Sequence, residues 1–267
     1  MSATITDQEF GCFQRFIFDA AGISLSTAKK ALVTGRLAKR LQVNRCSNYA
    51  EYFRVIASGK NPAEIQIAID LLTTNETYFF REPRHFELLR IQAEQACNRA
   101  QPFRVWSAAC SSGEEPYSIA MVLAAHLQGT PFEVIGSDLS TRVLEKARTG
   151  HYPVSRTTNT PRDYLQKFCL KGTGEQDGTV LVERSLRERV RFMQINLNTT
   201  LPRMGQFDMI FLRNVMIYFN VQTKREVVER VLTMLKPGGY FCIGHSESLN
   251  DISDAVQSVA PSIYRKQ

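Results

Sequence analysis

No apolar run in this chain approaches the roughly 18 residues of a membrane span. Residues 1–7 have neither the basic nor the apolar region of a secretory signal. The six cysteines (12, 46, 97, 110, 169 and 242) are scattered without a Cys-x-x-Cys pair, which removes the usual basis for a zinc knuckle or a disulfide framework. Free thiols on a chain without an export signal point to the reducing cytoplasm. The four histidines, His85, His126, His151 and His245, have no ligand-like spacing, so no metal is expected. No Ser/His or Cys/His constellation suggests a nucleophilic catalyst. Internal repeats, low-complexity tracts and basic patches interleaved with aromatics are also missing.

What is present is an ordinary globular composition, 43% hydrophobic and 22% charged over 267 residues, enough for one large or two modest domains. The net charge of +7 favours an acidic partner, whether nucleic acid, an anionic membrane or a glutamate-rich protein. Charge alone does not choose among these. No helix or strand reads as an unburied apolar face, so a monomer is expected.

The first 72 residues read as a small helical domain. Thr6-Asp7-Gln8-Glu9 has the pattern of a capping box, and Phe10, Phe13, Phe16 and Ile17 follow at helical spacing up to Gly22. Ser26 can cap a second helix running to Gln42. On it Lys29, Arg36 and Arg40 fall within roughly 40° of one another at 3.6 residues per turn. That stripe is either a solvated face or a docking surface for an acidic helix. Further helices are expected over 48–58 and 62–72, the latter with Pro62 in its first turn. Residues 73–84 form a polar and aromatic junction containing Asn75, Thr77 and Arg81, and Pro83 opens the next helix. Turn and capping chemistry would account for these polar residues, but junctions between domains also favour ligand clefts.

The chain is organised around residues 103–117, Phe-Arg-Val-Trp-Ser-Ala-Ala-Cys-Ser-Ser-Gly-Glu-Glu-Pro-Tyr. An apolar strand, a loop of small residues and a helix opening at Glu114 form the unit that begins a nucleotide-binding α/β domain. Glu114 and Glu115 would repel a phosphate at the helix start, so the ligand is neutral or cationic; a sulfonium or an ammonium fits. A second strand, residues 132–138, ends in Asp138. This acid can accept both ribose hydroxyls of an adenosine, or it can cap the helix that begins near Ser140. Strands follow at 190–194, 207–214 and 240–244, with Leu-Lys-Pro-Gly-Gly read as the turn before the last, and a C-terminal strand begins near Ser262. Alternation of strands with helices argues a mainly parallel sheet with its ligand at the carboxyl ends. Glu115, Asp138, Asn196, Arg213 and Asn214 sit at those ends. Residues 151–188 break the alternation: segments 168–171 and 179–183 flank a glycine-rich turn, as in a β-hairpin inserted into the parallel sheet. Its exposed edge can accept a peptide strand.

Taken together, Ser-Ala-Ala-Cys-Ser-Ser-Gly-Glu-Glu-Pro-Tyr-Ser, Leu-Arg-Asn-Val-Met-Ile-Tyr-Phe, Leu-Lys-Pro-Gly-Gly with Gly-His-Ser-Glu-Ser, and Thr-Thr-Asn-Glu-Thr-Tyr-Phe-Phe-Arg-Glu resemble the bacterial chemotaxis receptor (protein-glutamate) O-methyltransferases. The resemblance covers nearly the whole chain. It implies a Rossmann-like class I methyltransferase domain over 75–267, an inserted antiparallel β-subdomain near 153–188, and a small all-α N-terminal domain over 1–74 that docks on the receptor. It also implies a cytoplasmic enzyme that moves the methyl of S-adenosyl-L-methionine to receptor glutamates, leaving S-adenosyl-L-homocysteine. The partners implied are the cytoplasmic helices of chemoreceptors, with no nucleic acid and no membrane insertion. By the same resemblance Asn75, Thr77 and Arg81 line the cofactor's reactive end, and Glu115 faces its methionine part. Asp138 takes the ribose, Asn196 and Leu197 flank the adenine, and Arg213 and Asn214 complete the pocket. The Lys29–Arg36–Arg40 stripe becomes the docking surface. The loop keeps one glycine, Gly113, where methyltransferases in general have several.

The chemistry agrees with these residue types. A glutamate, with a pKa of about 4.3, is already ionised at neutral pH and needs no general base to accept a methyl. It needs in-line placement. Arg81 can hold the carboxylate by a charge-assisted bond, and Tyr218 can donate a hydrogen bond. Cys110, in the cofactor loop, is the thiol through which a reagent would block binding. A nucleic-acid methyltransferase is the rival enzyme, but Arg-Asn-Val-Met stands where base methylation commonly uses Asn/Asp-Pro-Pro-aromatic. A nicotinamide dehydrogenase fits Asp138 but not the acids after Gly113. A non-catalytic receptor-binding module would not require the cofactor-facing set.

Overall fold

The structure, a computed structural model, describes residues 4–267. It comprises two compact units: residues up to Thr74 with Tyr218–Lys224, and Asn75–Ile217 with Arg225–Gln267.

The first unit is built on four helices, α1 (Asp7–Ala21), α2 (Lys30–Val43), α3 (Tyr49–Ala57) and α4 (Pro62–Leu72). The capping box at the start of α1 is complete. The Thr6 hydroxyl accepts from the Glu9 N–H at 3.2 Å, and the Thr6 N–H donates to Glu9 Oε2 at 2.7 Å. Gly22 ends α1 in the left-handed conformation, φ 71°. Asn48 and Asn61 cap α3 and α4 through their side-chain oxygens. The expected Ser26 cap is absent: its side chain makes no capping bond, and residues 27–29 form a 3₁₀ turn before α2 begins. Phe13 anchors the core, stacked on Tyr52 at 6.2 Å and edge-on to Tyr49 and Phe53. Burial of each such ring contributes about 1.5–3 kcal/mol.

The basic stripe on α2 is drawn inward. Arg40 forms a two-pronged pair with Glu64, Nε to Oε1 at 2.9 Å and Nη2 to Oε2, and the Tyr52 hydroxyl donates to the same carboxylate at 2.7 Å. Arg36 donates to the carbonyls of Leu71 (3.1 Å) and Thr73 (2.7 Å) at the end of α4, where helix carbonyls lack partners. Only Lys29 stays exposed. A common angular position on α2 therefore does not make a common solvated face, because α4 brings an acid and bare carbonyls to it. In the segment 218–224 the Tyr218 carbonyl accepts from the Ser24 N–H at 2.7 Å, and Phe219 bridges Ile23.

The second unit runs α5 (Pro83–Gln95), β1 (Phe103–Ser107), α6 (Glu114–His126), β2 (Phe132–Asp138), α7 (Thr141–Thr149), β3 (His151–Pro153), α8 (Arg162–Phe168), β4 (Cys169–Lys171), β5 (Thr179–Val182) and α9 (Arg184–Arg187). It continues with β6 (Val190–Gln194), β7 (Phe207–Leu212), most of α10 (Val221–Thr233), β8 (Leu235–Ile243), β9 (Val256–Ala260) and β10 (Ile263–Lys266). Seven strands form one sheet in the order β6-β2-β1-β7-β8-β10-β9. The first five are parallel, and β10 and β9 pair antiparallel at one edge. β1 and β7 are almost wholly buried, as apolar runs covered on both faces should be. Chain order reverses direction at β1 and β7, which places the crevice at their carboxyl ends.

Two local expectations differ from the structure, and two strands, β3 and β9, are not legible in the sequence. The 169–182 hairpin does not join the main sheet; β3 pairs with β5, and a separate antiparallel sheet forms in the order β3-β5-β4. With three residues, one of them proline, β3 carries too little pattern to be read from sequence. Leu-Lys-Pro-Gly-Gly is the start of β8 rather than a turn before it, and the pairing with β7 shifts register there. At Gly239 a Cβ would lie 2.9 Å from the Asp208 carbonyl oxygen, so strand approach requires glycine. β9, mostly exposed at the edge, lacks the apolar alternation that identifies a strand.

Burial pushes the Glu64 carboxyl up, but the bonds from Arg40 and Tyr52 outweigh it and hold it below its ordinary value. A depressed folded value contributes stability above the ordinary carboxylate range, and that contribution is lost as pH falls through the folded value. Glu64→Ala should therefore cost about 3 kcal/mol at neutral pH, the low end for breaking a buried pair because Arg40 can reach water. The cost should shrink below about pH 4. Urea unfolding of both proteins at the two pH values checks this, and an equal difference at both would remove ionisation from the account.

Candidate active site

The loop from β1 to α6 is held by the strands beside it. The Ala108 N–H donates to the Phe211 carbonyl and the Cys110 N–H to the Ser137 carbonyl, each at 2.8 Å. Gly113 turns the chain into α6 at φ 96°, and a Cβ there would lie 2.8 Å from both Ala147 Cβ and the Tyr152 hydroxyl. Its requirement for glycine is thus steric and internal to the fold. At the end of β2, Asp138 accepts from the Ser111 N–H through Oδ2 and from the Ser140 N–H through Oδ1, both at 2.9 Å. The acid fastens the β1 loop to the β2 end and also supports the start of α7.

On the other flank Glu115 projects from the first turn of α6. The Ser107 hydroxyl donates to Glu115 Oε1 at 2.6 Å, and Arg213 Nη1 lies 3.3 Å from Oε2. Burial raises the Glu115 carboxyl, while Arg213 and Ser107 pull it back. Arg213, 2% exposed in its side chain, also places Nε 3.5 Å from Glu82 Oε2 and donates through Nη2 to the Arg81 carbonyl. Its Nε and Nη1 are buried without a hydrogen-bond acceptor in line. Glu82 precedes α5 in the left-handed region (φ 60°, ψ 72°), as does Phe80 (φ 54°). Strain of this kind persists where surroundings impose it, often at a ligand site.

His85 is fully buried; desolvation first, then Arg213 and His245, lower its pKa to about 3. Its Nε2 meets the Ser262 hydroxyl at 2.8 Å. Glu82 Oε2, His85 Nδ1 and His245 Nε2 lie within 4.8 Å of one another, a juxtaposition invisible in the sequence. The Arg213 guanidinium already supplies positive charge to that carboxylate.

Of the residues singled out by sequence, Arg81, Glu115, Arg213 and Asn214 are linked through Arg213 and Glu82, Asn75 and Asp138 meet at Ser111, and Thr77 joins neither set. The Asn75 carbonyl accepts from the Ser111 hydroxyl at 3.0 Å, and the Thr77 carbonyl accepts from Arg156. Arg81 donates to the Glu76 carbonyl at 3.1 Å and lies 5.7 Å over the Tyr78 ring. Asn196 and Leu197 follow Ile195, whose N–H donates to the Asp138 carbonyl at 3.1 Å, so they begin beside the β2 end. Asn196 Oδ1 accepts from the Asn198 N–H at 2.9 Å. Tyr218 belongs to the other unit. Sequence reasoning missed Ser107, Ser111, Glu82 and Glu247. Glu82 and Glu247 stand in motifs already noted, but no spacing tells that both point at residues 213–217.

Cys110 is not an accessible thiol. It is 1% exposed, and burial, with Asp138 and Glu115 adding, pushes its pKa well above the ordinary value. The loop's small residues bury the sulfur beneath the backbone and leave no thiolate to attack.

Residues 75–264 match the family described as CheR methyltransferase, SAM binding domain, and residues 8–73 match CheR methyltransferase, all-alpha domain. The chain is 41% identical over 262 residues to chemotaxis protein methyltransferase 2 of Pseudomonas aeruginosa, covering 97% of this chain and 93% of that protein. It is 42% identical over 265 residues to the chemotaxis protein methyltransferase of Escherichia coli, covering 97% and 91%. Among solved structures, the N-methyltransferase NodS from Bradyrhizobium japonicum in complex with S-adenosyl-L-homocysteine aligns at a TM-score of 0.40 with 15% identity, over 73% of this chain and 90% of that one.

Native alkylation with iodoacetamide should modify the half-buried Cys12, Cys46, Cys97 and Cys169 before the buried Cys110 and Cys242. Mass spectrometry of peptides before and after denaturation reads this order. Early modification of Cys110 would mean that the loop opens in solution.

Proposed function

This chain belongs to the CheR methyltransferase family, and from that premise we propose that it transfers the methyl of S-adenosylmethionine to glutamate side chains of chemoreceptors, giving glutamate 5-O-methyl esters for sensory adaptation. The family's catalytic domain binds S-adenosylmethionine, and the residues present fit that group. Two carboxylates, Glu115 and Asp138, stand at the ends of the central strands to accept from an ammonium and from ribose hydroxyls. Arg213 Nε and Nη1 are buried 3.5 and 3.3 Å from Glu82 and Glu115 without an aligned hydrogen bond, which suits them to turn to a carboxylate. Asn196 and Leu197 flank the adenine in this reading, and Asn75, Thr77 and Asn214 complete the pocket. When bound, the cofactor supplies a methyl group activated by its sulfonium.

The observation that carries the reading is the guanidinium pair on one side of the crevice. Arg213 is buried against Glu82 and Glu115, and Arg81, half-buried, is tied to Arg213 through its own carbonyl. A substrate glutamate is an anion that must be held rather than deprotonated. Arg81 can take its carboxylate with a charge-assisted fork once its bond to the Glu76 carbonyl is exchanged. His85, neutral and turned to Ser262, has no proton to remove. Tyr218 follows residues 213–217 directly in the chain, and its hydroxyl is assigned a supporting hydrogen bond to the substrate.

The helical unit is the docking element for the receptors' acidic helices. Lys29 is the exposed cation of the stripe, while Arg36 and Arg40 act by holding the helices beside it. The protein works as a cytoplasmic monomer on the receptors' cytoplasmic helices. Among the described residues no helix is long and apolar enough to cross a membrane.

Methyl-labelled S-adenosylmethionine incubated with chemoreceptor-containing membranes should label receptor protein, and the label should leave as methanol in mild base. Stable label or none would refute ester formation. Arg81→Lys should lower turnover by about tenfold to a hundredfold, because a charged hydrogen bond worth about 1.5–3 kcal/mol is lost and Lys cannot reproduce the fork. Near-normal turnover would remove Arg81 from the substrate site.

A further inference from the structure

We infer that Glu247 is a positioning residue that clamps residues 213–217 and thereby places Arg213 for the amino-acid end of the cofactor; this rests on the reading of Arg213 as a pocket residue. β7 ends at Leu212, and the chain reverses at Asn214 in the left-handed region, φ 56°. β8 ends at Ile243, and the Glu247 N–H donates to the Gly244 carbonyl at 2.9 Å, folding the Glu247 carboxylate back over the strand ends. Its Oε2 accepts from the Asn214 N–H at 2.9 Å and the Gly244 N–H at 2.7 Å, and its Oε1 accepts from the Ile217 N–H at 3.2 Å.

One carboxylate thus ties both ends of a five-residue loop to the neighbouring strand. Gly244 makes room for it: a Cβ there would run into the Asn214 amide and come within 2.9 Å of Glu247 Oε2. Glu82 braces the other side, accepting from Asn214 Nδ2 at 3.4 Å and the His245 N–H at 3.3 Å. The two motifs Leu-Arg-Asn-Val-Met-Ile-Tyr-Phe and Gly-His-Ser-Glu-Ser are joined through this clamp. The Glu247 carboxylate takes hydrogen bonds from backbone N–H groups, so it acts through the loop. Glutamine in its place would turn an NH₂ toward either the Ile217 N–H or the Asn214 and Gly244 pair, donor against donor.

The full-length chain with Glu247→Gln is compared with wild type by calorimetric titration with S-adenosylhomocysteine and, separately, with adenosine. The expected result is a Kd about tenfold weaker for S-adenosylhomocysteine with adenosine affinity unchanged, since Asp138 is untouched and one to two charge-assisted bonds are lost. An unchanged ratio of the two affinities, whether both hold or both fall together, overturns the inference and leaves Glu247 a general tie. Wild-type receptor methylation is run alongside. Its absence with intact S-adenosylhomocysteine binding refutes the receptor reading, while the affinity ratio still decides the role of Glu247.

Discussion

The crevice depends on a guanidinium kept out of water between two carboxylates. Arg213, within 3.5 Å of Glu82 and 3.3 Å of Glu115, is buried where an unpaired charge would not be tolerated. Each partner arrives from a different part of the second unit: Glu82 from the turn before α5, Glu115 from the first turn of α6, Arg213 from the end of β7. The electrostatic demand of one side chain therefore fixes three segments against one another. Burial raises the Glu115 carboxyl, and the guanidinium beside it keeps the pair from neutralising. Left-handed backbone at Glu82 and Asn214 is the local cost of that convergence.

The parallel sheet supplies the frame. Five parallel strands, β1 and β7 at their centre buried on both faces, end together, and the ligand-facing residues come from their ends and the turns that follow. Glycines serve this geometry at few positions. Gly113 lets α6 start against Ala147 and Tyr152, and Gly244 lets a carboxylate reach backbone N–H groups. A single glycine in the β1 loop is enough because Asp138 and the neighbouring strand carbonyls hold the rest of it.

The helical unit follows a different economy of charge. Its core is a cluster of aromatic rings around Phe13, and Arg36 and Arg40 serve the packing of α2 on α4. A strongly basic chain does not present all its cations to a partner, because helix ends and buried acids claim some first.

Residue order alone determined a good deal. Strands β1, β2, β6 and β7 were legible from apolar runs bounded by small or polar residues, α1, α4 and α5 from a capping box and prolines, and α3 from its apolar spacing, because these signals are local. Glu115, Asp138, Arg213 and Asn214 could be marked because parallel strands deliver their ends to one edge. Tertiary structure decided the rest. β3 exists only by pairing with β5 farther along the chain, β9 only as the edge partner of β10, and the stripe on α2 turned inward because Glu64 and the α4 carbonyls lie opposite it. Cys110 proved sealed rather than reactive, and Glu82 and Glu247 were found through contacts spanning 132 and 33 residues of sequence, respectively. Helix and strand periods are written within a few residues of chain; which buried charge meets which is settled only when the sheet brings distant ends together.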